Sequence, residues 1–192
     1  MVVKDFVPSS FKIFLQNLID SAGFEWYYNG NSTTEGQDNI FQFIHVIVNE
    51  QGYKSPHYEK IKPLLYFFEL HTGLKIKGIR RMKANLLTQR ELSEDTNKLA
   101  IHTDVNINEK DCVSFIYYVN DSDGDTHFFK EFYDPSIKRF INGYSPDIFN
   151  LQTRVTPQKG KTILFDSRRY HASSYPEQTP ERIVLNITFT VK

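Results

Sequence analysis

From Leu74 to the C-terminus, the sequence is a succession of short apolar or alternating segments separated by turn-forming residues. The separating turns fall at Asn120–Asp125, Asp134-Pro135, Asn142-Gly143 and Pro157–Gly160. The segments between them predict β-strands at residues 75–88, 98–102, 112–119, 125–132, 137–141, 151–156, 161–166, 170–175 and 182–191. A long run of short strands buries its apolar faces by packing one sheet on another.

Two helices are expected before these strands. Residues 9–21 begin with Ser9-Ser10, which are good caps, and place apolar side chains at helical spacing. The second helix is predicted from about residue 56 to 70, with Pro63 kinking it or delaying its start. The sequence of residues 23–37 predicts a loop, and the apolar segment 41–48 predicts a strand.

These elements predict an α+β fold within a single domain, residues 1–192. Residues 74–192 would form a jelly roll, or double-stranded β-helix, and residues 1–73 a helical support region. The chain has 192 residues, of which 40% are hydrophobic, enough for one sizeable core.

Charge and composition exclude several classes of protein. Lys plus Arg and Asp plus Glu are equal at 23 each, which argues against a nucleic-acid partner. The single cysteine, Cys112, excludes an intrachain disulfide and suits a reducing compartment. No apolar run approaches the roughly 20 residues of a membrane span, and the N-terminus lacks a secretory signal pattern. We therefore expect a cytoplasmic protein with no membrane partner.

His102-Thr103-Asp104, followed by His171, is the strongest chemical signal in the chain. Two imidazoles and one carboxylate are the ligand set that holds an oxygen-activating iron(II). The first pair follows a predicted strand, and the second histidine comes just after the apolar strand Thr162–Phe165. We predict that His102, Asp104 and His171 bind Fe(2+), which leaves positions for a chelating 2-oxo acid and for O2.

The closing strand has two distinct faces, because alternate side chains of a strand point in opposite directions. Its apolar face must belong to the core and contains Ile183, Leu185, Ile187, Phe189 and Val191. Its other face carries Arg182, Asn186 and Thr188, and strand 112–119 carries Tyr118 in a similar row. These rows fit the lining of a lumen in which Arg182 and Tyr118 converge on one carboxylate. An exposed arginine in a surface ion pair is the alternative.

These residues resemble the iron(II)/2-oxoglutarate-dependent oxygenases, and among them the prolyl 4-hydroxylase-like branch. The similarity covers about Ile79 to the C-terminus. It rests on His102-Thr-Asp104, on Cys112–Asn120, on Gly124–Phe129, and on Ser167–His171 with Arg182 eleven residues later.

The resemblance implies a role for each motif residue. His102, Asp104 and His171 would bind iron, Arg182 would pair with the distal carboxylate of 2-oxoglutarate, and Tyr118 would hydrogen-bond that carboxylate. Asn85 stands where prolyl hydroxylases commonly place a tyrosine, near the metal-bound end of the co-substrate.

The sequence therefore predicts a 2-oxoglutarate- and O2-dependent iron(II) dioxygenase that hydroxylates a C–H bond. A prolyl or other peptidyl residue is the first substrate hypothesis, within a broader expectation of a peptide or small-molecule substrate. Two alternatives stay open: a non-catalytic metal-binding jelly-roll module, and a nucleobase oxygenase on the same fold. The sequence decides neither the oligomeric state nor whether residues 132–150 form a lid.

Three other features have plainer interpretations. His127 is expected to line or pack rather than to bind metal. The basic run Lys75–Lys83 suggests a solvated strand face. Trp26, Tyr27 and Tyr28 are expected to cover the core and receive no functional role.

Overall fold

The computed structural model describes residues 1–30, 41–91, 99–105, 111–137 and 148–192. Most of the expected strand at 137–141 and the turn at Asn142-Gly143 lie outside these ranges, as does much of segment 132–150. Lys98 and part of the loop at 23–37 also lie outside them.

Three helices and ten strands form in the described ranges. The helices are α1 (Ser9–Ile19), α2 (Tyr58–Ile61) and α3 (Pro63–Thr72). The strands are β1 (Val2–Val3), β2 (Tyr27–Asn29), β3 (Gln42–Val48), β4 (Ile76–Thr88), β5 (Cys112–Tyr118), β6 (Thr126–Phe132), β7 (Leu151–Val155), β8 (Thr162–Asp166), β9 (Arg169–Ser173) and β10 (Glu181–Val191). Within these ranges, no helix is long and apolar enough to cross a membrane.

The strands form two antiparallel sheets. The larger sheet has the order β1-β8-β5-β10-β4-β3-β2, and the smaller has the order β7-β6-β9. Side chains from both sheets meet in a small apolar cluster made by Ile116, Tyr118, Phe128, Ile163, Phe165 and Val184. The fold is the predicted α+β jelly roll.

The helices cover the outer face of the larger sheet. Leu185, Ile187 and Phe189 of β10 pack there with Leu15 of α1 and Phe68 of α3, all of them buried. Burial of each such side chain contributes about 1.5 to 3 kcal/mol. This confirms the predicted apolar face of the closing strand and leaves its polar row facing the smaller sheet.

The N-terminal region is less purely helical than predicted. Residues 1–73 contribute β1, β2 and β3 to the larger sheet as well as the helices, and β3 confirms the strand expected at 41–48. The second helix is divided into α2 and α3, because Pro63 lacks an N–H group and begins a new helix at its first position.

Two local predictions were wrong. Ser9 begins α1 instead of capping it, since Pro8 occupies the N-cap position and no side chain caps the helix. In the segment expected as a strand at 98–102, the described residues form a single bridge, His102 with His171. The N–H of Ile101 donates to the carbonyl of Leu99 at 2.9 Å, so the chain bends before it reaches β9.

Candidate metal centre and co-substrate pocket

His102, Asp104 and His171 come together between the two sheets. The N–H of His102 donates to the carbonyl of His171, and the N–H of His171 donates to the carbonyl of His102, both at 2.9 Å. The centroids of the two rings lie 4.4 Å apart. The N–H of Asp104 donates to the carbonyl of Ser167 at 3.0 Å. One potential ligand atom from each of the three residues lies within 4.8 Å of the others.

Backbone carbonyls orient both imidazoles. Nδ1 of His102 lies 2.8 Å from the carbonyl of Ala100, and Nδ1 of His171 lies 3.0 Å from that of Arg169. Each carbonyl requires the ring proton on Nδ1, which leaves the Nε2 lone pair for a metal. Burial and the neighbouring His171 lower the pKa of His102 to about 3, and burial lowers the pKa of His171. Both rings are therefore neutral, the form that binds metals.

Asp104 is held as a buried, ionised carboxylate. Its side chain is fully buried; Nη2 of Arg81 donates to Oδ1 at 2.9 Å, and Oγ of Ser114 donates to Oδ2 at 2.5 Å. Burial alone would raise the pKa of Asp104, but the charges of His171 and Arg81 and the hydroxyl of Ser114 keep it below its usual range. Oδ2 lies 3.7 Å from Nε2 of His171, which is close enough for the two to share a metal.

Arg182 lies at a second polar centre between the sheets and is only 1% exposed. Its Nε donates to the carbonyl of Gly124 at 2.7 Å and its Nη2 donates to Oγ1 of Thr126 at 2.8 Å, while the hydroxyl of Tyr118 lies 2.6 Å from the same Oγ1. Among the described residues, no carboxylate lies within ion-pair distance of Arg182. A buried guanidinium without a counter-ion is costly, which favours an anionic ligand here.

A cavity connects the metal triad with Arg182. Its lining includes His102, His171 and Arg182 together with Gln42, Lys83, Asn85, Leu87, Ala100, Ile116, Ser173, Val184 and Asn186. Oδ1 of Asn85 and Oδ1 of Asn186 are buried and have no hydrogen-bond partner in the described ranges. Both amide oxygens are therefore available to a ligand, while Nδ2 of Asn186 donates to Oδ1 of Asp104 at 3.5 Å.

Two of the sequence-predicted residues lie beside this cavity instead of lining it. Tyr118 contacts Thr126, the hydrogen-bond partner of Arg182. Thr188 is buried, opposite Ser114 in the sheet register, and its hydroxyl has no partner within the described part of the chain.

The basic run Lys75–Lys83 is the predicted solvated face only in its first part, where Lys75 and Lys77 are exposed. Arg81 binds Asp104, and Lys83 lines the cavity, where burial and the charge of Arg81 lower its pKa to about 7. β4 lies between β3 and β10, so one of its faces is directed at the smaller sheet. The sequence contained evidence for this placement, because Arg81 and Lys83 lie on the same face of the strand as Asn85.

The remaining predicted residues do not join the site. His127 is buried at 7% exposure opposite Ala172 in β9, and it is not among the residues that line the cavity. Trp26 packs against the core, as expected. Tyr27 and Tyr28 are 60% and 68% exposed and do not cover it, since their short strand β2 lies at the edge of the sheet.

Comparison with known families agrees with this geometry. Residues 87–190 match the profile of the 2OG-Fe(II) oxygenase superfamily. The chain belongs to this superfamily. It is therefore an oxidoreductase that depends on iron(II) and 2-oxoglutarate. No curated protein matches its sequence.

Solved structures share the fold at low sequence identity. The chain resembles the non-heme alpha ketoglutarate dependent epimerase SnoN from nogalamycin biosynthesis, with a TM-score of 0.64, 12% identity, and coverage of 99% of this chain and 77% of the other. It resembles a Pseudomonas putida prolyl-4-hydroxylase with a TM-score of 0.57, 15% identity, and coverage of 99% and 91%. It also resembles a Trichoplax adhaerens prolyl hydroxylase, determined with a hypoxia inducible factor peptide, with a TM-score of 0.60, 16% identity, and coverage of 99% and 82%.

Proposed function

We propose that this oxygenase hydroxylates a C–H bond of a peptide or small molecule, with iron(II) bound by His102, Asp104 and His171. One observation carries the proposal. The two histidines of the triad line one part of a cavity with Nε2 free for a metal, and Arg182, buried and without a carboxylate partner among the described residues, lines another part. A dicarboxylate with a metal-chelating end matches both.

The donor set fits the metal. Bound iron supplies the redox chemistry that couples consumption of O2 and 2-oxoglutarate to oxidation of the substrate. The carbonyls of Ala100 and Arg169 hold the two imidazoles in the ligating tautomer. The rings of Phe165 and Phe128, with centroids 4.8 Å and 6.1 Å from that of His171, exclude water from one side of that ligand.

The co-substrate fits the rest of the cavity. Nε and Nη2 of Arg182 are committed to Gly124 and Thr126, which fixes the guanidinium and leaves its other N–H groups for the distal carboxylate. The hydroxyl of Tyr118, which lies beside the cavity at 2.6 Å from Oγ1 of Thr126, would hydrogen-bond the same carboxylate. A turn of the Asn85 side-chain amide would present its NH2 group to the metal-end carboxylate.

A prolyl or other peptidyl residue is the substrate that we propose first. Two of the structural neighbours are prolyl hydroxylases by name, and a third is an epimerase. Sequence identities of 12 to 16% indicate a shared fold but do not identify the substrate. A peptide panel containing proline, tested beside small-molecule candidates, separates these classes.

The decisive experiment is an anaerobic titration with iron(II) and 2-oxoglutarate, followed by measurement of succinate when O2 is admitted. We expect succinate to form with wild type and not with His171→Ala. Arg154→Ala, which removes an exposed arginine of β7, is the control for handling and folding. A wild-type protein that binds iron(II) and 2-oxoglutarate but forms no succinate, with or without candidate substrates, would contradict the proposal.

A further inference from the structure

A second group of two histidines and one carboxylate lies outside the cavity. Glu25 precedes β2, His45 is in β3, and His57 precedes α2. One potential ligand atom from each lies within 4.8 Å of the others. None of the three residues lines the cavity or contributes to the motifs of the iron site.

Three oxygen atoms surround two ring nitrogens in this group. Nδ1 of His45 lies 2.7 Å from the backbone carbonyl of Glu25 and 3.9 Å from its Oε2. Nε2 of His57 lies 3.1 Å from the carbonyl of Gly23 and 3.6 Å from Oε2 of Glu25. Each ring directs one nitrogen at this group, so the two rings offer at most two N–H donors to three acceptor oxygens. A cation among them would satisfy the remaining lone pairs.

The two rings are held in place, while the carboxylate can move. His45 and His57 are 3% and 8% exposed, and the ring centroid of Phe24 lies 4.4 Å and 4.9 Å from theirs. The side chain of Glu25 is 58% exposed, so a metal has access and the carboxylate can adjust. The positions of the two rings are therefore fixed, and the position of the carboxylate is adaptable.

We propose that Glu25, His45 and His57 form a second divalent-metal site, for which zinc is the best match. Imidazole and carboxylate bind zinc at about 2.0 to 2.2 Å, so tetrahedral ligand atoms lie roughly 3.4 Å apart. Oε2 of Glu25 lies 3.6 Å from Nε2 of His57 and 3.9 Å from Nδ1 of His45, both close to this value. Water would complete the shell.

The position of the ring proton on His45 and His57 limits the affinity of the site for zinc. A metal on Nδ1 of His45 and Nε2 of His57 moves the ring protons to the opposite nitrogens. Those nitrogens are buried and have no hydrogen-bond partner in the described ranges. A buried N–H without an acceptor is unfavourable. We therefore expect zinc to bind more weakly than at a closed four-ligand structural site.

Zinc bound by Glu25, His45 and His57 would stabilise the fold by linking three segments of the chain. The three residues belong to the loop before β2, to an inner strand of the larger sheet and to the segment that begins α2. A metal that binds only the folded arrangement of these segments stabilises the native state. This role is independent of the iron chemistry, because the three residues are absent from the cavity lining.

Metal counting in paired variants tests the proposal. Metal-free protein is titrated anaerobically with cobalt(II), followed by visible absorption, and with zinc(II), followed by calorimetry. We expect wild type to bind one equivalent at the iron site and a second one here. Glu25→Gln should lose the second equivalent, and Glu59→Gln, at a nearby exposed carboxylate, should keep it. His171→Ala should keep only the second, and its combination with Glu25→Gln should bind neither.

The Gln variant preserves shape at an exposed position, so its loss of metal would not reflect unfolding. Zinc should raise the melting temperature of His171→Ala and leave that of the combined variant unchanged, while Glu25→Gln keeps wild-type succinate formation. The proposal is wrong if wild type binds a single equivalent that His171→Ala abolishes. It is equally wrong if Glu25→Gln binds the second equivalent with unchanged affinity.

Discussion

Arg81 donates from Nη2 to Oδ1 of Asp104 at 2.9 Å, which fixes one carboxylate oxygen from the strand next to β10. The arginine side chain is 33% exposed, whereas that of Asp104 is fully buried. A buried carboxylate needs such a partner before any metal arrives. Arg81 therefore stabilises the metal-free site and orients the ligand.

Arg81→Gln should lower the free energy of unfolding of the metal-free protein by about 1 to 2 kcal/mol, since Arg81 is only partly buried. A divalent metal should recover part of this loss because it compensates the same carboxylate. Urea unfolding with and without manganese(II) measures both effects. Arg80→Gln, which breaks the more exposed contact with Glu50, should cost less. Equal losses in the two variants would remove the special role of Arg81.

His171→Ala should abolish tight iron(II) binding, because it removes one of three protein ligands. His127→Ala is a matched control, since it deletes another buried histidine in the smaller sheet. Anaerobic iron(II) titration distinguishes them. Unchanged iron affinity in His171→Ala, or equal loss in His127→Ala, would contradict the assignment of the triad.

Arg182→Ala should weaken 2-oxoglutarate binding by about 2 to 5 kcal/mol, because it removes the buried cation that pairs with the distal carboxylate. Tyr118→Phe should cost about 1 kcal/mol, since it deletes one neutral hydroxyl beside Thr126. Dissociation constants measured anaerobically with iron(II) bound give both values. If Tyr118→Phe loses as much as Arg182→Ala, the carboxylate is held in another way.

The sequence predicted the part of the site that depends on strand alternation. The polar row of β10 placed Arg182 and Asn186 between the sheets, because a strand with one apolar face has only one orientation on its core. The same rule applied to β4 would have found Arg81 and Lys83. A basic run predicts a solvated strand face, but the position of β4 between β3 and β10 directs Arg81 and Lys83 at the smaller sheet instead.

Features that depend on three-dimensional packing could not be predicted from the sequence. Glu25, His45 and His57 have no motif spacing, and they meet only because β3 and the start of α2 fold against the same loop. The strands β1 and β2 have two and three residues, too few for a periodic pattern to show.

Asp123 should make stability depend on pH in the acid range. It accepts hydrogen bonds from the backbone N–H groups of Glu177, Gln178 and Thr179 and from the hydroxyl of Thr179. Desolvation opposes them, but together they hold the pKa of Asp123 well below its ordinary value. Its contribution is therefore complete above the unfolded pKa, near 3.9, and is lost as the pH falls towards the lower folded value.

Asp123→Asn should accordingly be less stable than wild type at pH 6, and the difference should shrink below about pH 4. Urea unfolding across this range measures it. Asp121→Asn, at an exposed carboxylate that accepts one backbone N–H, is the comparison. A difference between Asp123→Asn and wild type that stays constant down to pH 2 would show that the charge of Asp123 does not matter.

Gly124 should be essential for the position of Arg182, because its backbone carbonyl accepts from Nε and there is no space for a side chain. An added Cβ would lie 2.8 Å from the carbonyl oxygen of Ser174 and 2.9 Å from Cδ of Arg182. Gly124→Ala must therefore displace the arginine or the strand end, at a cost of about 1 to 3 kcal/mol in stability.

Gly124→Ala should also weaken binding of the co-substrate. A shifted guanidinium no longer meets the carboxylate in the fixed geometry, so 2-oxoglutarate affinity should fall by roughly tenfold or more, which corresponds to about 1.4 kcal/mol. Gly78→Ala is the matched control, because its Cβ would meet only Oγ1 of Thr190, at an ordinary 3.7 Å. Anaerobic 2-oxoglutarate titration and urea unfolding of both variants separate the two effects. If Gly124→Ala binds 2-oxoglutarate as wild type does, the distal carboxylate does not depend on the fixed position of Arg182.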